Sequence, residues 1–225
     1  MGQGVGFRLG GYVPQLAPAF HSPPPSEKTS QALGTELLLD TIYSLQSDLL
    51  EESMSQVPIW FERKFEFSFP VDLLPNLRAR LRGTPARLEE TLRDRSNEIL
   101  AGKPKEKWSA QEHAGHLLDL EPLWLARLGD YVAARDQLTA ADLTNRKTHE
   151  ANHNTRPLKQ ILSEFREERE RLLKRVEELD AALYAQAITH PRLEKPMRLV
   201  DHLYFVAEHD DHHLAIIWEL LEAVP

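Results

Sequence analysis

The chain has 225 residues, a net charge of −8, ten histidines and no cysteine. Without cysteine there is no disulfide framework, zinc ribbon, iron–sulfur cluster or cysteine nucleophile. The acidic balance argues against a general nucleic-acid binder, which needs a basic face to displace counterions. Hydrophobic residues at 41% and charged residues at 28% are ordinary for a soluble globular chain, and the length suits one domain with an appended segment. The excess to explain is histidine.

The opening stretch Met1 to Gly11 has a single basic residue, Arg8, and no apolar run follows it, so a secretory signal is not expected. No apolar run reaches about 18 residues, so no membrane contact is expected and the cytoplasm is the default location. Residues 1–35 read as disordered. Gly2, Gly4, Gly6, Gly10 and Gly11 precede Pro14, Pro18 and Pro23-Pro24-Pro25, too little apolar matter to offset ordering entropy. Leu38, Ile42, Leu45 and Leu49 recur at helical spacing, which predicts a short helix over 36–52. Residues 1–53 are thus a tail, either fused ahead of the domain or preceding a later natural start at Met54. An interaction module built on the 36–52 helix is one rival function.

From residue 54 onward the pattern predicts an all-α domain, 54–225. Thr84 is placed to cap a first helix with Pro85 in its first turn, Glu89 and Glu90 further in, and Leu88, Leu92 and Ile99 inside; Gly102 and Pro104 close it. Ser109 and Glu112 form a capping box with Trp108 at the staple position. The second helix then runs to about Ala134, with a kink expected at Pro122. Residues 135–156 read as a long polar connection. A third helix is expected from Pro157 to about Leu183, with Arg166 to Arg171 as its solvated face. A connection with His190-Pro191 and Pro196 leads to a last helix from Met197 to Leu221. Only Phe65 to Phe69 suggests an extended piece. Four helices with one long crossover imply a four-helix bundle.

In the last helix His209 and His213 are four apart and differ by only about 40° in direction. They share a stripe with Leu199, Val206, Ile216 and Leu220. Two imidazoles on a buried face are costly unless they bind something. At this spacing a metal site outweighs a pair of core histidines bonded to carboxylates. His212 falls off the stripe. A divalent ion commonly takes three protein ligands and keeps an open position. His116, which lies inward with Leu120 and Leu123, or His113 at the edge of that face, would complete the set; geometry favours His116 only slightly. Glu112, Asp119, Glu208 and Asp210 are candidates to orient the ligand rings. No residue is assigned a catalytic role, and His21, His190 and His202 are assigned no chemistry.

His149-Glu150-Ala151-Asn152-His153 also matches H-E-x-x-H, in which two histidines bind zinc and the glutamate is the general base. That motif needs a helix packed on one side, and between Leu143 and Pro157 only Ala151 is apolar. A solvated rim is the better reading, with Asn145, Arg146 and His149 placed to bind an anionic substrate group.

Two stretches resemble the DinB-like metal-binding superfamily: Trp108-Ser109-x-x-Glu112-His113-x-Gly115-His116-Leu117-x-Asp119 and Glu208-His209-Asp210-x-His212-His213-Leu214. The resemblance spans Met54 to Pro225 and implies an up-down-down-up four-helix bundle. It implies a metal, zinc or nickel, held by His116, His209 and His213, and so settles the choice against His113. It further implies a small-molecule substrate and a homodimer. Some members are similar to thiol S-transferases that use bacillithiol, mycothiol or glutathione, so a low-molecular-weight thiol cosubstrate is one expectation and metal-assisted hydrolysis another. A non-catalytic metal-binding or stress-response bundle is the alternative.

Overall fold

The computed structural model describes residues 57–103 and 107–222; the expected tail at 1–53, its helix at 36–52 and Pro104 lie outside them. Six α-helices are described: α1 Leu74–Leu92, α2 Asn97–Ala101, α3 Ala110–Val132, α4 Arg146–Glu150, α5 Leu158–Glu177 and α6 Leu199–Glu222. The long ones, α1, α3, α5 and α6, form the bundle. Two apolar clusters fix their directions. One joins Leu88 and Leu92 at the end of α1 to Ala110 and Ala114 at the start of α3, Ile161 and Phe165 at the start of α5, and Ile217 and Leu221 at the end of α6. The other joins the opposite ends through Leu81, Leu128, Val176 and Leu203. Helices α1 and α6 therefore run one way and α3 and α5 the other. The connection from α3 to α5 must return the full length of the bundle, which gives the up-down-down-up order.

Helix α1 corrects the expected start at Thr84. It begins ten residues earlier, after a 3-10 turn at Val71–Leu73, and has a proline in its first turn. Leu77, Leu81, Thr84, Leu88 and Leu92 make its buried face. Thr84 is interior, and its hydroxyl donates to Asp210 at 2.8 Å. Pro85 lies inside the helix, where it deprives the carbonyl of Leu81 of its N–H partner. Arg169 Nη1 supplies the missing donor at 3.2 Å. The helix stops at Leu92; Ser96 caps the separate α2, accepting from Ile99 N at 3.3 Å. Helix α3 opens with the expected capping box: Ser109 N donates to Glu112 at 2.9 Å and Glu112 N to Ser109 Oγ at 3.1 Å. It continues through Pro122, whose ring is exposed.

The run Arg166 to Arg171 is not wholly a solvated face. Arg169 is buried between Glu121 at 2.6 Å and Asp210 at 2.5 Å. With Thr84 and Leu81, these residues tie all four long helices together. The guanidinium is held charged by the two carboxylates against the cost of its burial. Helix α5 ends at Glu177, short of Leu183, and a 3-10 turn Ala181–Ala185 follows.

The structure adds a two-stranded hairpin that the sequence pattern does not predict. Strand β1, Ala187–His190, pairs antiparallel with β2, Lys195–Arg198, with Ile188 opposite Met197. Met197 thus belongs to a strand and α6 begins at Leu199. Four-residue strands carry too little alternation to register as a pattern. The α3–α5 connection docks on this hairpin, Leu138 N donating to Thr189 O at 3.0 Å. Phe65 to Phe69 form no strand; they alternate in burial, with Phe65 in the core.

Candidate metal centre

His116 projects from the second turn of α3, and His209 and His213 project from one face of α6. Each offers a ring nitrogen, and these nitrogens lie within 4.8 Å of one another. All three side chains are buried. Nε2 of His209 and Nε2 of His213 face each other at 3.2 Å. Burial, with the positive potential of neighbouring imidazoles, holds all three rings neutral: His116 is pushed down to about 3, and His209 and His213 well below their ordinary value. Neutral imidazole is the form that coordinates a metal.

Hydrogen bonds assign the tautomer of His116. Thr148 Oγ1 donates to Asp119 Oδ2 at 2.9 Å and lies 3.0 Å from His116 Nδ1. Although burial pushes Asp119 up, hydrogen bonds from His153 and Thr148 and the charge of Lys147 hold it below the usual carboxylate range. Asp119 is thus an acceptor, the threonine proton is committed to it, and His116 Nδ1–H must donate to Thr148. That leaves Nε2 of His116 bare. His213 Nδ1 lies 2.8 Å from His113 Nδ1, so His113 props a ligand candidate instead of being one. Three neutral, buried imidazoles whose ring nitrogens converge, the bare Nε2 of His116 among them, fit a cation.

The other predicted residues are dispersed. Asp119 reaches His116 only through Thr148. Glu112 completes the capping box and pairs with Lys103 at 2.7 Å. Glu208 pairs with Arg63 and Arg80, both at 2.5 Å. Asp210 belongs to the Arg169 network. None of Glu112, Glu208 and Asp210 bonds a ligand ring among the described residues. His149-Glu150-Ala151-Asn152-His153 does not form one helix. His149 and Glu150 are the last two residues of α4, Asn152 has φ 49°, and His153 starts a 3-10 turn. His149 and Glu150 are exposed, whereas His153 is buried and bonded to Asp119 at 2.8 Å. Gly115 allows this: a Cβ there would come within 2.2 Å of the His153 ring.

A cavity of about 850 Å³ opens beside the three histidines. Its wall includes Trp60, Trp108, Trp124, Phe205, Ile216 and Leu220, with His149, His212 and Asn145 also lining it. Arg146 is exposed and does not line it. Trp108 packs on His113 at 5.4 Å, fulfilling the staple, and on His116 at 4.8 Å. Trp60 packs edge-on to His209 at 5.0 Å. Sequence reasoning missed Thr148, Trp60 and Trp124. It also gave no role to His190, Arg127 and Arg192, which line the same cavity.

No helix among the described residues is long and apolar enough to cross a membrane. No curated protein matches the chain. Among solved structures, YfiT from Bacillus subtilis, described as a probable metal-dependent hydrolase with an unusual four-helix bundle topology, is similar with a TM-score of 0.63 and 19% identity, over 72% of this chain and 93% of that chain. At that identity the likeness speaks for the fold. The family model of the DinB superfamily matches residues 80–217, from the middle of α1 into α6 and across all three histidines, and the chain therefore belongs to the DinB superfamily.

Proposed function

We propose that the chain is a metal-dependent enzyme acting on a small molecule, with a divalent ion, zinc or nickel, held by His116, His209 and His213. The observation that carries this reading is the convergence of three neutral, buried imidazoles beside a cavity of about 850 Å³. A divalent ion held there supplies a Lewis acid that favours a deprotonated nucleophile and a polarised electrophile. The chain's own residues set the stage. Thr148 fixes the His116 tautomer, and His113 backs His213. Trp60 and Trp108 limit the motion of the ligand rings and the access of water. His149 is exposed on the wall of the same cavity.

Hydrolysis is the first reaction to test, since water needs no binding site of its own and the hydrolase description of YfiT points the same way. Transfer of a low-molecular-weight thiol to an electrophile is the second. The absence of cysteine means that sulfur would come from a cosubstrate. Metal content of the purified protein and of His116→Ala, His209→Ala and His213→Ala tests the centre. Loss of stoichiometric metal is expected in each variant, and full occupancy in all three would sink the site. Ester, amide and electrophile panels with and without thiols then separate the two reactions.

A further inference from the structure

The cavity has a second polar wall, away from the metal-ligand candidates in sequence and built for a different charge. Arg127 on α3, His190 at the end of β1 and Arg192 in the hairpin turn all line it. Arg127 is 1% exposed and His190 2%. Neither arginine is in an ion pair among the described residues. Arg127 Nε donates to Thr139 O at 2.9 Å, and its guanidinium lies 5.4 Å from the Trp124 ring. Arg192 lies over Phe61 at 5.3 Å and Phe205 at 5.8 Å, and its Nη2 is buried without a partner. The nearby carboxylates are engaged elsewhere. Asp130 accepts from Thr139 N at 2.6 Å, and Asp142 accepts from Thr144 and from Arg146 N.

His190 sharpens the case. Three donors address its ring: Arg192 N and Leu193 N at Nδ1, each at 3.2 Å, and Arg127 Nη1 at Nε2, also at 3.2 Å. A neutral imidazole accepts at one nitrogen and donates from the other. With Nδ1 accepting two backbone N–H groups, Nε2 carries the proton and meets the Arg127 N–H groups donor to donor. The opposite tautomer would set a ring N–H against two backbone N–H groups. Either way this wall has more donors than acceptors, and a buried excess of donors is costly unless an acceptor enters.

We propose that Arg127, Arg192 and the His190 N–H form a carboxylate subsite, so that the substrate is an organic acid whose apolar body lies along the aromatic wall toward the three histidines. This inference rests on reading the cavity as the substrate site. An anionic oxygen placed between His190 Nε2 and the guanidinium groups turns the donor–donor contact into charge-assisted hydrogen bonds. Trp60, Phe61 and Phe205 favour an apolar acid over a hydrated inorganic anion.

Benzoate and its neutral isostere benzamide are the probes, titrated by calorimetry into the full chain as purified, after chelation of metal, and as Arg192→Gln and Arg192→Lys. Arg192 is half-buried in a turn, and thermal melts establish that both variants fold. Benzoate is expected to bind at least tenfold more tightly than benzamide, with or without metal. It should weaken tenfold or more in Arg192→Gln and keep most of its affinity in Arg192→Lys. Equal binding of benzoate and benzamide to the unaltered chain would overturn the proposal, and needs no variant. So would tighter binding of inorganic phosphate than of benzoate. Benzoate binding that vanishes on chelation but survives Arg192→Gln would place the carboxylate on the metal and overturn the subsite while supporting the metal centre. Arg192-dependent binding in a protein that takes up no metal would do the reverse.

Discussion

Arg169 Nη1 donates to the carbonyl of Leu81 at 3.2 Å, the carbonyl that Pro85 leaves without its helical partner. One buried side chain thereby repairs a break in α1 and, through Glu121 and Asp210, ties together the helices that carry His116 and His209. Replacing Arg169 with methionine leaves two carboxylates buried and a carbonyl unpaired. A loss of about 3–5 kcal/mol is expected in urea unfolding. Arg166→Ala, in the same charged run, should cost less than about 0.5 kcal/mol. Similar losses for the two would contradict the assignment.

Thr148 sets the proton of His116 and should act on metal affinity more than on folding. Thr148→Val removes the acceptor for Nδ1–H and is expected to weaken metal binding by roughly 10–100-fold. Thr148→Ser keeps the hydroxyl and most of the affinity. Competition titration against a chromogenic chelator checks both, and unchanged affinity in the valine variant would refute the tautomer argument.

The contact between Gly115 and His153 predicts a coupled pair. Gly115→Ala forces the His153 ring out of its place against α3 and should destabilise the chain by about 1–3 kcal/mol. Removing the ring as well, in Gly115→Ala/His153→Ala, should cost less than the sum of the single changes. Strict additivity of the unfolding free energies would show that the two do not meet.

The H-E-x-x-H reading makes an opposite forecast at residues 149 and 150. Because His149 is exposed and lies outside the histidine cluster, His149→Ala should retain full metal content, whereas that motif makes His149 a zinc ligand and has Glu150→Gln abolish activity with metal still bound. Loss of metal from His149→Ala, measured by elemental analysis, would revive that motif.

Burial, with the charges of Arg127 and Arg192, pushes His190 down to about 3, and His116 lies equally low. An unfolded histidine titrates near about 6.5. Between these values the unfolded chain binds protons that the folded chain does not, so stability falls as pH falls. The slope is at most about 1.4 kcal/mol per pH unit for each such histidine. The melting temperature of chelated protein should therefore drop from pH 6.5 to pH 5. A flat profile over that interval would contradict the buried neutral rings.

Helix α3 was legible almost to its ends because a capping box is a local device, closed within four residues. The face of α6 was legible because 209 and 213 recur at the helix's own period. The same reasoning failed at Thr84, which resembles a cap by type and position but spends its hydroxyl on Asp210, 126 residues away. It failed at Arg169, which nothing in its own run distinguishes from Arg166. It failed at Thr148, where a polar, aperiodic segment folds back to hold the His116 ring.

By itself the sequence determined most of the apolar residues that face inward on the long helices, since periodicity and capping depend only on neighbours along the chain. It thus put His209 and His213 on one stripe, while the choice of His116 over His113 came from the family resemblance. Only the tertiary structure decided what surrounds them: the threonine that fixes a proton, the arginine that repairs α1, and the donor-rich wall opposite. Those roles depend on which helices and loops meet across the bundle, and hydrogen-bond partners so far apart in sequence leave no trace in local pattern.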